Sequence, residues 1–535
     1  MKILFPYIFV FFCVPTGAGA QQFSIKWSKK FAITSGIFSN NIYIQSLPTG
    51  NGTTISLFRK IKSFGLANDY ILVKFNTQPD VEKQAELNFP DGGREGLIEM
   101  VKLQNNFYLI KYRISSKESA DIVVSKLNSE TLTTEGPEKR IGTIDDLGSA
   151  SGSFEKMILD PAVYTSYSSD SSKFVIAFEP DQKRKEKKKV QVMVFNNDLL
   201  KVYSKFYEWN NPSNKVYIPN ISIDNTGSVF MLYNIYEKDF EKELLRSDGE
   251  KIPSYTSHLL AIDENRVASS DINSNGKFIH NASIAYNEKK QPVLIGIYKE
   301  KNNGRLTGVF RAAINPGQSN KTVSDINFTS YPQDLLDKAD KDNQGRNSGK
   351  NPGLDNNFHT NYVVCVSDGI SHMISEYFDI DSKGASNEFT KFIKGDFIIT
   401  TFQANGKPEF QRLPRYQQTM NAVSSTNILQ AGSYTPDYFN DKLVLFYNDG
   451  MENINKDLNE GPEKFSAEKN SALTVAILSH EGKLQKRKLV YDHSGMDGYV
   501  TNLRFTEIKE NQYLIFAFKA GNFKHGMMVG TLLIK

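Results

Sequence analysis

Seven histidines, His258, His280, His359, His372, His480, His493 and His525, are the side chains of this chain best suited to acid–base or metal chemistry, and they are spread singly. Imidazole titrates near neutrality and ligates metals, but isolated positions on strands or surface are the plain expectation. A fold built around an axis can still gather distant residues, so a cluster stays open as the alternative. Carboxylates are too numerous for a general acid and base to be singled out. The chain has no G-x-S-x-G elbow, no H-E-x-x-H helix, no paired C-x-x-C and no phosphate-cradling G-x-x-x-x-G-K-[ST] loop. No catalytic, cofactor-binding or metal-ligating residue is assigned, and no cofactor is expected.

Weaker signals come with plainer readings. Asp340, Asp342 and Gln344 before Gly345 imitate the opening of a calcium loop, but Asn351 stands where such a loop needs a bidentate glutamate. A flexible acidic loop is expected there. Lys183, Arg184, Lys185, Lys187, Lys188 and Lys189 form a dense basic run without interleaved aromatic residues, which reads as a solvated hairpin tip rather than a polyanion site. The formal net charge of +4 gives no argument for nucleic acid or membrane binding. Only two tryptophans, Trp27 and Trp209, are present, which weakens the case for a sugar-stacking platform.

Export is written at the start of the chain. Met1-Lys2, the apolar run ILFPYIFVFFCV and Ala18-Gly19-Ala20 read as a signal peptide over residues 1–20, followed by a mature chain 21–535. Phe12 before Cys13 departs from a lipidation signal. No later apolar run is long enough for a transmembrane segment. The product is therefore expected in the periplasm, on the cell surface or outside the cell, as a monomer. Its one remaining cysteine, Cys365, lies among Tyr362, Val363, Val364 and Val366 and is expected to be buried and unreactive.

The elements that must position any site are strands. From Tyr217 to Asn275, VYIPNISID, SVFMLYNIYEK, SHLLAIDEN and RVASSDINS read as four strands, the first two joined by a tight turn at Asp224-Asn225-Thr226-Gly227. Units of this kind begin near Gly36, Gly96, Met157, Tyr217, Lys277, Phe358, Asn427 and Gly498. Repeated four-stranded sheets predict an all-β fold, a single β-propeller of eight blades, with seven open because the first unit is irregular. The last unit lacks a fourth strand, and Phe23 to Lys29 is the expected donor that closes the ring. Tight turns fall on one face of the disc. Long polar connections at residues 181–189, 237–256, 331–357, 379–394 and 448–470 fall on the other.

Residues Phe397 to Gln418, FIITTFQANGKPEFQRLPRYQQ, and Leu429 to Asp449, LQAGSYTPDYFNDKLVLFYND, carry one resemblance. They resemble secreted, largely uncharacterised propeller-like proteins of Bacteroidota-type bacteria, with Leu413-Pro414-Arg415-Tyr416-Gln417 matching a basic segment between blades. The resemblance implies an envelope or secreted location and no activity. Two functional readings follow: a non-catalytic propeller binding an envelope protein or glycan through its long-loop face, or a polysaccharide hydrolase or lyase with acidic residues at the central channel.

Overall fold

The structure is a computed structural model that describes residues 22–28, 41–62, 65–87, 89, 95–116, 119–146, 163–180, 182, 185–240, 254–272, 274–315, 323–342, 353–381, 389–422, 434–466, 470–496, 499–519 and 526–535. The leader, Lys183, Arg184, Gln344, Asn351 and His525 lie outside the described residues.

Eight antiparallel sheets of four strands form the ring, and the chain is an eight-bladed β-propeller. The inner strands begin at Asn41, Glu95, Val163, Val216, Phe278, Phe358, Tyr434 and Tyr499, which number blades 1 to 8. These starts are less evenly spaced than the sequence units, because inter-blade connections vary in length while strand number per blade does not. Blade 6 carries one extra strand, Gln417–Ala422, paired with the first half of Phe389–Phe402.

Each inner sheet is apolar on both faces, as packing against two neighbours requires. In blade 3, Phe174, Ile176 and Phe178 face blade 2 and Val175 and Ala177 face blade 4. The same alternation builds a buried cluster at all eight seams, so the core is a ring of interfaces rather than one centre. The closing seam is completed by Phe23–Trp27, which pairs antiparallel with Met527–Ile534 from Phe23–Ile534 to Trp27–Gly530. Phe23 packs edge-on against Phe446 at 5.7 Å and Trp27 against Tyr491 at 5.8 Å. Gly530 must be glycine here, since a Cβ would stand 2.6 Å from the Trp27 ring.

Six of the eight inner strands carry a β-bulge near their start. Ile44, Ile98, His280 and Asn361 are single extra residues, and Ile218–Pro219 and Leu503–Phe505 are longer interruptions. A bulge removes a residue from the ladder and leaves its carbonyl to be satisfied elsewhere. The preceding blade does so in three cases. Tyr164 Oη reaches the Ile218 carbonyl at 3.3 Å, Tyr255 Oη donates to His280 at 2.9 Å, and Thr435 Oγ1 donates to Leu503.

Turn chemistry accounts for the plain face. Asp224 Oδ1 accepts from the Thr226 and Ser228 amides, both at 2.9 Å, and so caps its turn. On the elaborated face the connections hold more structure than expected. Asp340 and Asp342 lie in an α-helix, Gln333–Asp342, not in a loop, and a helical backbone cannot wrap oxygen ligands around calcium. Lys187, Lys188 and Lys189 belong to a strand, and their ammonium groups pair with Glu208, Glu179 and Asp146. Cys365 is half-buried rather than buried, with its thiol 3.5 Å from Ser371 Oγ. Burial still pushes its pKa up, which keeps it a poor nucleophile.

The packing of blades 6 and 7 turns on Arg415, which is fully buried. Its guanidinium donates to Glu376 at 2.8 Å, to the Asn448 carbonyl at 2.9 Å and to Gln417, between the rings of Phe397 and Phe465. Asp396 accepts from the Arg415 amide and from Arg412.

Two outcomes test these contacts. Deleting residues 22–28 exposes the edge of Met527–Ile534, so the melting midpoint should fall and soluble aggregates should appear on gel filtration; an unchanged midpoint with monomeric elution would contradict closure. Arg415→Met leaves Glu376 uncompensated and should cost about 3–5 kcal/mol in urea unfolding. Adding Glu376→Gln should recover part of that loss.

Candidate functional site

The histidines do not stay isolated. Blades 4, 5 and 6 bring His258, His280 and His359 to one cavity of about 420 Å³ at the elaborated mouth of the central channel. His258 comes from the third strand of blade 4, while His280 and His359 come from the inner strands of blades 5 and 6. The bulge at His280 re-aims that residue, and its ring centroid lies 6.4 Å from that of His359.

A larger cavity of about 1070 Å³ follows the seam between blades 4 and 5 outward. Tyr236, Tyr255, Ser257, His258 and Ile279 line both cavities and form the wall between them. Around this wall runs a continuous set of rings. Tyr217 and Phe240 are 5.5 Å apart, Phe240 and Tyr236 6.1 Å, Tyr236 and Tyr255 4.9 Å, and Tyr255 and Phe278 4.7 Å. The Tyr255 hydroxyl is committed to the His280 carbonyl, so a structural tie between blades also fixes the wall.

Polar groups are interleaved with the rings. His258 stacks on Tyr233 at 5.0 Å, with Nδ1 2.6 Å from Asp271 and Nε2 2.8 Å from Thr256 Oγ1. Ser257 donates to Asn234 at 2.9 Å. Lys277 pairs with Glu300 at 2.6 Å at the rim of the outer cavity. Among the described residues, Asn281 Oδ1 is buried at the inner cavity without a hydrogen-bond partner. An acceptor so placed is suited to a ligand hydroxyl.

Burial is the main cause of the low basicity of these imidazoles. His280 is pushed down to about 3 by burial, with Lys299 and His359 adding to it. His258 and His359 are lowered by burial against nearby carboxylates, Asp271 for the first and Glu376 and Asp355 for the second. All three are neutral acceptors or donors at physiological pH. No carboxylate lines the inner cavity among the described residues, so paired acids of glycosidase type are not assembled there. Glu376, one of the two acids near His359, is bonded to Arg415. No group of His, Cys, Asp and Glu able to hold a metal occurs among the described residues.

The remaining histidines among the described residues serve the fold. His372 Nδ1 bonds Thr401 at 2.9 Å, His480 meets Tyr438, and His493 bridges Ser471 and Thr501, each at 2.9 Å. Tryptophan was the signal for ring stacking in the sequence, and it pointed away from this cleft. Trp209 is packed between Tyr207 and Tyr233, and the rings along the cleft are tyrosines and phenylalanines, half-buried except for the buried Tyr236.

Buried neutral histidines set an acid limit on stability. His280 at about 3, His372 at about 4 and His493 at about 4 are all depressed in the fold, chiefly by burial. The unfolded chain then binds more protons, so stability should fall as pH drops from about 6.5 toward 4. Asp449, raised to about 6 by burial, opposes this over the same window. With five depressed histidines, His258 and His359 included, against two raised carboxylates, Asp449 and Glu99, the melting midpoint should decline between pH 6.5 and 4.5, and His493→Gln should flatten the decline; a midpoint that rises on acidification would contradict this assignment.

No family model matches the chain, and no curated protein matches it. Among solved structures, it is similar to prolyl oligopeptidase B from Galerina marginata bound to a 35mer hydrolysis and macrocyclization substrate, at 9% identity and a TM-score of 0.37. That match covers 90% of this chain and 55% of the other, so the chain spans about half the length of the oligopeptidase. The Nup133 β-propeller domain of Vanderwaltozyma polyspora aligns at 8% identity and 0.34, over 83% of this chain and 100% of that domain. The periplasmic gluconolactonase PpgL of Pseudomonas aeruginosa aligns at 11% and 0.26, over 72% and 98%. Likenesses this distant carry no argument about activity, and the eight-bladed ring rests on its own strand pairing.

Proposed function

We propose that this protein is an exported, non-catalytic propeller that binds a glycan of the cell envelope along the seam between blades 4 and 5. The observation that carries this reading is the run of rings from Tyr217 to Phe278 beside two connected cavities. Sugar rings present apolar C–H faces and a girdle of hydroxyls, and a cleft that alternates aromatic rings with Asn, Ser and His groups matches both. Export rests on the leader sequence. The face is the one with long connections, where binding residues are held by a rigid scaffold.

A second reading is favoured by the three neutral imidazoles. A base at His359 could draw a proton from a bound sugar, as in a lyase, without the paired carboxylates of a hydrolase.

Both readings meet in one set of measurements. Tyr255→Ala and Tyr236→Ala should weaken the strongest binder on a glycan array at least about tenfold, roughly 1.4 kcal/mol, while Lys187→Ala on blade 3 leaves it unchanged. Capture of an envelope protein instead of a glycan, lost in the same variants, would replace the glycan with a protein partner. Growth of ultraviolet absorbance from an unsaturated product, lost in His359→Gln, would establish the lyase and overturn the non-catalytic reading.

A further inference from the structure

The two cavities that share the Tyr255 wall differ in charge. Glu237, Asp271, Lys277, Glu300 and Lys301 line the outer one, whereas among the described residues no Asp, Glu, Lys or Arg lines the inner one. Its histidines, His258, His280 and His359, are neutral, so the inner cavity has no formal charge of its own. A charged substituent entering it would lose hydration without gaining a counter-ion there. A neutral one would not carry that cost.

What the inner cavity offers instead is side-chain amides together with apolar surface. Asn234 stands between Tyr217 and Ser257 across three strands of blade 4. Its Oδ1 accepts from Ser257 Oγ at 2.9 Å, which leaves its Nδ2 donors for a ligand. Asn281, from the inner strand of blade 5, brings the buried Oδ1 that has no partner among the described residues. Leu232 and Ile279, both buried, and the more open Pro219 and Ala282 make the same lining apolar.

Resting on the glycan reading of the cleft, we propose that the bound saccharide contains N-acetylated amino sugars and that the inner cavity takes one acetamido group. That substituent combines an N–H donor, a carbonyl acceptor and a methyl group without charge. Asn281 Oδ1 accepts from the N–H, Asn234 Nδ2 donates to the carbonyl, and the methyl group covers the apolar lining. A hydroxyl in its place can meet one of the two amides but leaves the other and the apolar surface uncovered. A free amine would bring an ammonium charge into a cavity with no carboxylate. The aromatic wall at Tyr236 and Tyr255 holds the sugar rings whatever the substituent.

Three β-1,4-linked trisaccharides that differ only at C2, where they carry acetamido, amino or hydroxyl groups, test this by titration calorimetry on the full chain. The acetamido trimer should bind about tenfold or more tighter than either of the others. Asn234→Ala and, as a second variant, Ala282→Met, which fills the apolar lining, should each reduce the ratio of acetamido to hydroxyl binding severalfold. A partly unfolded variant lowers both affinities alike and does not change that ratio. Equal binding of all three trimers, lost in Tyr255→Ala, would overturn the acetamido assignment and leave the glycan cleft standing, and so would a preference for the amino trimer. An N-acetylated tripeptide that displaces the acetamido trimer at equal concentration would overturn the sugar and put a peptide amide in the cavity. Binding of none of the three would overturn the acetamido assignment, and the glycan array then decides separately whether the cleft takes saccharides.

Discussion

Everything in this molecule depends on closing a ring. Eight sheets that are apolar on both faces are stable only if each has two neighbours, and the eighth finds its second neighbour only when the ring is shut. Closure rests on one five-residue strand, Phe23–Trp27, brought from the far end of the chain. With a single cysteine among the described residues and no disulfide, no covalent tie shares that burden. Apolar burial at the seams supplies the stability, and strand pairing determines which seams can form.

The inner strands solve a second problem, the narrowing of the ring toward its axis. Bulges near their starts bend them and add twist, and hydroxyls from the preceding blade satisfy the carbonyls released at Ile218, His280 and Leu503. At blades 4 and 5 this device makes the candidate site. The hydroxyl of Tyr255 ties the two blades, its ring divides the two cavities, and the bulge it supports turns His280 to the channel mouth. Position and recognition come from one contact.

Much of the architecture could be read from residue types because the signals are local. Alternation in strands such as KFVIAF, tight turns at Asp224-Asn225-Thr226-Gly227 and a missing last strand all report on short stretches, and they led to eight blades and the donor strand. Loop lengths likewise marked the elaborated face. The site was hidden for the converse reason. His258, His280 and His359 are far apart in the chain, and only curvature of the ring brings them together. The flexible loop expected at Asp340 and Asp342 is instead the end of a helix, because a polar acidic stretch between blades does not by itself fix backbone conformation. Lys187 to Lys189 misled because their partners Glu208, Glu179 and Asp146 lie across strands. Arg415, placed by the sequence only in a basic segment between blades, is the buried centre of a network.

Gln22 and Lys535 exchange two backbone hydrogen bonds, at 3.0 and 2.9 Å, so the two ends of the described ring lie side by side. The response to force follows from that geometry. A load pulling residue 22 away from residue 535 meets the closing ladder at its end, Phe23–Ile534 first, and breaks it one pair at a time instead of in shear across all five. Such a seam is mechanically weak however stable the ring is at rest. A tether at either end alone leaves the ladder unloaded, whereas anchorage at both would make this seam the first place to open under tension.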